Sequence, residues 1–292
     1  MNYMANLKRS KNLAKHQEYI NLAFSLAEIN LGSTKSNPSV GCIIEKNGSI
    51  ISSGHTSLSG RPHAEFNALN KNIDFKNANL YSTLEPCTHH GNSPPCTNII
   101  KKKGIKNVYY SIDDYDLRTK EKSRKTLSAV KIKVIKRLDK KKGLSFYRSY
   151  ANYHQKKPPL IDAKIAISKD YFSINTKDKW VTNYRSRKLT HLLRSRYQAI
   201  ISTSKSINKD DSLLNCRIDG LNNKSPDLII IDRYLKLKKN LRIFKDKTKR
   251  SIYIFTIKKD KEKINWLRRN NIKVIRLSNM SKKDDYKKIL MH

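Results

Sequence analysis

The sequence predicts two α/β domains in tandem. Short apolar runs alternate with helix-period segments along the whole chain. That alternation breaks once, at Lys156-Lys157-Pro158-Pro159, where two prolines cannot continue a helix. The 292 residues then divide into two parts, each long enough to bury its own core. These observations place the domains at 1–155 and 156–292.

In the first domain, His16 to Leu31 reads as a helix, because Ile20, Ala23, Phe24, Ala27 and Leu31 share one face. Val40 to Ile44 and Ile50 to Ser53 are apolar runs around Lys46-Asn47-Gly48. Asn-Gly between two such runs is a strong hairpin signal. His63 to Asn72 reads as a helix, and Leu80 to Leu84 as a strand leading directly into Glu85-Pro86-Cys87. Pro95 to Lys103 is a helix with proline near its first position, where a missing N–H costs nothing. Val108 to Ile112 and Ile132 to Ile135 are strands with a polar helix between them, and Gly143 to Gln155 is a closing helix. The expected fold is an α/β sandwich on a mostly parallel sheet. Met1 to Lys15 is polar and basic, lacks the apolar core of a secretory signal, and is expected to fray.

The second domain repeats the alternation. Leu160 to Ile167, Ala199 to Ser202, Leu228 to Asp232, Ser251 to Thr256 and Val274 to Leu277 read as strands. Tyr184 to Arg196 reads as a helix, and Ile264 to Arg269 sits in another.

Composition bounds the function. Four widely spaced cysteines (Cys42, Cys87, Cys96, Cys216) exclude a disulfide scaffold and point to a reducing, cytoplasmic setting. No run of about twenty apolar residues exists to span a membrane. The formal charge of +38 is spread over loops and helix ends rather than clustered on one face. Compositional drift therefore explains it better than a nucleic-acid surface, although such a chain still attracts phosphorylated small molecules.

Chemistry concentrates in His63-Ala64-Glu65, Cys87 and Cys96. Hydrolytic deamination needs a nucleophile at neutral pH and a proton shuttle. Zinc supplies the first when three protein ligands leave one position open. His63, Cys87 and Cys96 give a His/Cys/Cys ligand set, and Glu65 fits the non-ligating carboxylate of an H-x-E pattern. Cys96 begins a predicted helix, where the dipole favours a thiolate. Cys42, inside a strand, reads as a small core hydrophobe. The cysteine spacing departs from P-C-x-x-C, because Thr88 to Pro95 separates the two ligands. A zinc deaminase of nucleic acids or free nucleosides is the alternative at this point. A basic binding protein on a decayed enzyme fold is a second.

The longer loop decides among deaminases. Thr83-Leu84-Glu85-Pro86-Cys87-Thr88-His89-His90-Gly91-Asn92-Ser93-Pro94-Pro95-Cys96 resembles the T-L-E-P-C-x-H-x-G-x-x-P-P-C motif of the bifunctional riboflavin-biosynthesis deaminase/reductases. Asn37-Pro38-Ser39-Val40-Gly41 and Pro62-His63-Ala64-Glu65 are similar to that family's N-P-x-V-G and P-H-A-E segments. The resemblance implies a cytidine-deaminase-like three-layer α/β/α domain that deaminates a diaminopyrimidinone carrying ribose 5-phosphate, releasing ammonia. It implies zinc on His63, Cys87 and Cys96, proton transfer by Glu65, and substrate contacts from Asn37, His89 and His90. The family's next segment carries Asp-Pro and glycines that help hold the phosphate. Asp113 to Arg124 lacks them here, leaving Arg118, Lys120 or Lys122 as replacement cations.

The second half resembles the family's dihydrofolate-reductase-like domain, through Lys164-Ile165-Ala166-Ile167-Ser168-Lys169-Asp170, Trp180-Val181-Thr182, Leu193-Arg194 and Asp210-Asp211 with Arg217. Tyr171 and Ser212 replace a glycine and a proline of the family pattern. The resemblance implies NADPH contacts from Ala166, Trp180, Ser206 and Asp210. It implies contacts to the ribosyl substrate from Asp178, Arg194, Leu214 and Arg217, and assembly as a homo-oligomer. No glycine follows Gly220, whereas the family continues into a glycine-rich V-E-G-G segment. The second domain therefore looks incomplete, and weak or absent reduction beside intact deamination is expected.

Overall fold

Asn47 and Gly48 turn the first hairpin, both at positive φ (54° and 84°), as a two-residue type I′ turn requires. The computed structural model describes residues 2–173, 180–246 and 249–291. The chain forms two compact units, Met1–Leu160 and Ile161–His292.

In the first unit the hairpin joins β1 (Gly41–Lys46) to β2 (Ser49–His55). β3 (Asn79–Leu84), β4 (Asn107–Ile112) and β5 (Lys133–Lys136) complete a sheet of order β2-β1-β3-β4-β5. β3, β4 and β5 run parallel, but β1 is antiparallel to both β2 and β3. The sheet is thus mixed rather than mostly parallel, because the hairpin reverses the chain at one edge. The helices are α1 (Asn2–Ala27), α2 (Ala64–Leu69), α3 (Cys96–Lys102), α4 (Lys122–Ser128), α5 (Lys140–Phe146) and α6 (Arg148–His154). α1 begins far upstream of His16: the expected frayed leader extends the helix, since its lysines, leucine and alanine are good helix formers once a packed turn has nucleated. The closing helix is divided at Tyr147 into α5 and α6.

The core lies on the sheet faces, with Ile20, Phe24, Ile44, Leu80, Leu84 and Ile100 all buried. α2 sits very close to β2. A Cβ on Gly54 would lie 2.4 Å from the Ala64 carbonyl oxygen and 2.5 Å from the Ala68 nitrogen, so glycine permits the contact. Because β1 opposes β3 with Cys42 across from Ser82, the start of β1 meets the end of β3. The loops before β1, after β3 and after β4 therefore share one edge of the sheet, where α/β folds build their sites.

The second unit has a fully parallel sheet of order β6-β7-β8-β9, formed by Ala199–Thr203, Asp227–Ile231, Ile252–Thr256 and Ile272–Arg276. α7 (Tyr184–Arg194), α8 (Ser204–Asp210), α9 (Lys261–Arg269) and α10 (Lys283–Met291) complete it. Its core includes Ile207, Leu228, Ile230, Ile254 and Leu267. Leu160 to Ile167 is not a strand. Ile161, Ile165 and Ile167 are 54%, 70% and 46% exposed, and no strand among the described residues pairs with the segment. Alternating apolar residues make a strand only where a sheet edge supplies hydrogen bonds.

Candidate active site

His63 immediately precedes α2, Cys87 follows β3, and Cys96 opens α3. These three places lie at one sheet edge, and they bring His63 Nδ1 to 3.6 Å from Cys87 Sγ and 3.5 Å from Cys96 Sγ. A tetrahedral ion with Zn–N about 2.05 Å and Zn–S about 2.3 Å holds its nitrogen and sulfur ligands about 3.5 Å apart. The donor set therefore fits zinc in both type and spacing. It is also the only such group of three His, Cys, Asp or Glu residues among the described residues. The Cys96 backbone N–H donates to Cys87 Sγ at 3.2 Å. Hydrogen bonding from Cys96 holds the Cys87 thiol well below its ordinary value, despite opposition from burial.

Glu65, in the first turn of α2, is buried beside this set. The Ser82 hydroxyl of β3 donates to Glu65 Oε1 at 3.2 Å, and the Cys96 thiol bonds the same carboxylate. Burial raises the carboxyl above its ordinary value, toward the range where a group both accepts and gives a proton.

A cleft opens over these residues, walled by Asn37, Arg61, His89, Asp114, Arg118 and Tyr150 among others. Of the residues expected from sequence, Asn37 and His89 line it. His90 does not: it is exposed, since consecutive residues of an irregular loop face apart. His89 Nδ1 lies 2.9 Å from the Thr119 hydroxyl, and burial lowers its pKa, so the ring is neutral near pH 7. Asp116 pairs with Arg118 through Nη2 at 2.5 Å and Nε at 3.0 Å, which draws the carboxyl down to about 2.

Sequence reasoning missed two supporting carboxylates. Glu85 is buried and accepts from the backbone N–H groups of Asp114, Glu121 and Ser123 at 2.9–3.0 Å, tying the loop after β4 to the strand end that bears Cys87. Nothing in the sequence around Glu85 reveals these partners, which lie 29 to 38 residues further on. Asp114 accepts from the Tyr150 hydroxyl at 3.0 Å, and burial raises its carboxyl to about 7. Nothing in the local sequence marks it.

In the second unit, Arg194, Leu214 and Arg217 gather around Asn215. Arg194 Nη1 donates to the Asn215 carbonyl at 3.1 Å, and Arg217 Nη1 to the Asn215 side chain at 2.8 Å. Ser206 and Asp210 are exposed on α8. Ala166 and Trp180 are not joined to them by any described hydrogen bond or ring contact. Ala166 lies in the unpaired 160–167 segment, and the exposed Trp180 ring lies 4.4 Å from the Arg187 guanidinium. Asp178 lies outside the described residues.

Residues 13–112 match the zinc-binding region family of cytidine and deoxycytidylate deaminases, and residues 159–291 match the RibD C-terminal domain family. The riboflavin biosynthesis protein RibD of Aquifex aeolicus is 32% identical over 276 residues, covering 94% of this chain and 77% of that protein. The chain belongs to the RibD family. RibD of Actinobacillus pleuropneumoniae is 30% identical, with 94% of this chain and 73% of that one covered. The crystal structure of a diaminohydroxyphosphoribosylaminopyrimidine deaminase/5-amino-6-(5-phosphoribosylamino)uracil reductase from Thermotoga maritima matches with a TM-score of 0.80 at 27% identity, covering 96% of this chain and 78% of that one. The chain thus carries a cytidine-deaminase-like zinc domain and a RibD-type reductase domain, with zinc and NADPH as their cofactors. The C-terminal match identifies the second unit as that reductase domain although no glycine follows Gly220. No helix among the described residues is long and apolar enough to cross a membrane.

Proposed function

We propose that residues 1–155 deaminate 2,5-diamino-6-(5-phosphoribosylamino)pyrimidin-4-one, with His63, Cys87 and Cys96 as zinc ligands and Glu65 as proton carrier. The convergence of one imidazole nitrogen and two sulfurs at tetrahedral spacing beside a buried carboxylate carries this reading. Zinc held by these three residues would supply a water acidic enough to lose a proton near neutral pH. Glu65 takes the proton from the attacking water and returns it to the departing amine. The ring carbon gains oxygen and loses ammonia. The Ser82 hydroxyl keeps the carboxylate turned to the ligand set. Asn37 and neutral His89 suit hydrogen bonding to a ring edge or sugar.

Against the weak or absent reduction expected from the missing glycines, the match of residues 159–291 to the RibD C-terminal domain favours reduction of the ribosyl chain to ribityl with NADPH by residues 156–292. Arg194 and Arg217, braced on Asn215 beside Leu214, would meet the ribosyl phosphate, and Ser206 and Asp210 the cofactor. The four free cysteines support a reducing, cytoplasmic setting.

The test is to incubate the zinc-loaded chain with the substrate, without and then with NADPH, and weigh the products. A deaminated ribosyl compound, followed by a deaminated ribityl compound, is expected. Unchanged substrate beside deamination of single-stranded nucleic acid would replace the reading with a nucleic-acid deaminase.

A further inference from the structure

The substrate named for these relatives carries a phosphate, and the cleft contains little to receive one. Its wall includes the carboxylates Glu65, Glu85, Asp114 and Asp116, which repel an anion. Of the cations the sequence offers on the loop after β4, Arg118 is committed to Asp116 by two donor atoms. Lys122 Nζ donates to the Leu117 carbonyl, and neither it nor Lys120 lines the cleft.

Arg61 is different. It lines the cleft, and among the described residues no carboxylate forms an ion pair with it. The turn that carries it is braced on either side: Asn67 Nδ2 of α2 donates to the His55 carbonyl at 2.8 Å and to Ser57 Oγ at 2.9 Å, and the Ser57 N–H donates to the Pro62 carbonyl at 3.0 Å. Its guanidinium lies against Gly91, in the loop between the two cysteine ligands. A Cβ on Gly91 would come within 3.0 Å of Arg61 Nη2 and 4.0 Å of the His89 ring. The absent side chain leaves room for the guanidinium at this loop, and Arg61 and His89 both line the cleft. A planar guanidinium with uncommitted donors, on a braced loop in an acid-rich cleft, is suited to two phosphate oxygens.

We propose that Arg61 holds the phosphate of the phosphoribosyl substrate in the deaminase cleft. This rests on the deaminase reading above, and it replaces the loop after β4 as the source of the anion's cation.

The test compares the full-length zinc-loaded chain with Arg61→Gln, Arg61→Lys and Arg118→Gln, using the substrate with and without its phosphate. For Arg61→Gln, the preference in kcat/KM for the phosphorylated substrate should fall roughly 10- to 100-fold, the loss of a charge-assisted contact. The loss should appear in KM, with zinc still bound. Arg61→Lys should recover part of it, and Arg118→Gln should lose less than Arg61→Gln. An unchanged preference in Arg61→Gln, or a larger loss in Arg118→Gln, overturns the proposal. If Arg61→Gln sheds zinc, partial recovery of the preference by Arg61→Lys supports the proposal and no recovery overturns it. If the wild-type chain deaminates nothing, the deaminase reading fails separately. Arg61 is then judged by calorimetric binding of ribose 5-phosphate: weaker binding by Arg61→Gln sustains the anion site, and equal binding removes it.

Discussion

Ser82 Oγ donates a 3.2 Å hydrogen bond to Glu65 Oε1, and both side chains are buried. The proposed proton carrier is thus held by the same strand whose end leads to Cys87. Ser82→Ala removes one of the bonds orienting the carboxylate while leaving the ligands in place. Steady-state kinetics should show kcat lowered about 10- to 100-fold, the worth of one hydrogen bond to a charged group, with zinc content unchanged. An unaltered kcat would mean that the bond has no positioning role.

Zinc links the site to stability. His63, Cys87 and Cys96 come from three separate segments, so an ion holding them binds the folded state far better than the unfolded one. Chelation should lower the melting temperature and stop ammonia release together, and added zinc should restore both. Cys87→Ala should show the chelated behaviour without recovery. Equal melting temperatures with and without chelator would contradict the linkage.

Gly54 sets how α2 approaches the sheet. Gly54→Ala places a methyl group against backbone atoms of Ala64 and Ala68, which cannot give way as a side chain can. The expected cost is about 1–3 kcal/mol in urea denaturation, as for other overpacked contacts. Because α2 carries Glu65 and begins beside His63, zinc should also dialyse away faster. A variant as stable as the parent would show that α2 tolerates displacement.

Asp114 makes stability depend on pH. Burial raises its folded carboxyl to about 7, whereas an unfolded aspartate titrates near 3.9. Between these values the folded chain holds a proton that the unfolded chain has lost, so stability falls as pH rises through the window and levels off above it. Asp114→Asn keeps an oxygen to accept from Tyr150 and removes the titration. Denaturation midpoints at pH 5 and pH 8 should differ less in the variant than in the wild type. Equal differences would place the titration elsewhere.

What was legible in the sequence follows from what chemistry restricts. A zinc ligand can be few residue types and a proton carrier fewer, so His63, Cys87, Cys96 and Glu65 stand out by residue type and spacing alone. The Asn47-Gly48 hairpin was equally readable, because two positive φ angles admit few residues. Glu85 and Asp114 were not legible. Their roles depend on backbone N–H groups and a tyrosine brought close by folding, which leave no local pattern. Arg118 looked like a phosphate cation because the sequence does not reveal that Asp116 takes its charge. Leu160 to Ile167 looked like a strand because apolar alternation records a preference for pairing, not the presence of a partner. Lys-rich composition concealed that residues 2–15 are helical, since lysine suits a helix and a solvated coil alike.

The most direct test of the central claim is ammonia release by the zinc-loaded wild-type chain and by Glu65→Gln, with the product mass and bound zinc measured in the same samples. The account predicts that the wild type exchanges one amino group of the phosphoribosylaminopyrimidine for oxygen, with one ammonia released per product. It predicts that Glu65→Gln keeps its zinc yet slows by about 10²- to 10⁴-fold, the contribution of a positioned acid–base group. A zinc-bound wild type that leaves the substrate unchanged, or a Glu65→Gln chain as fast as the wild type, would contradict it.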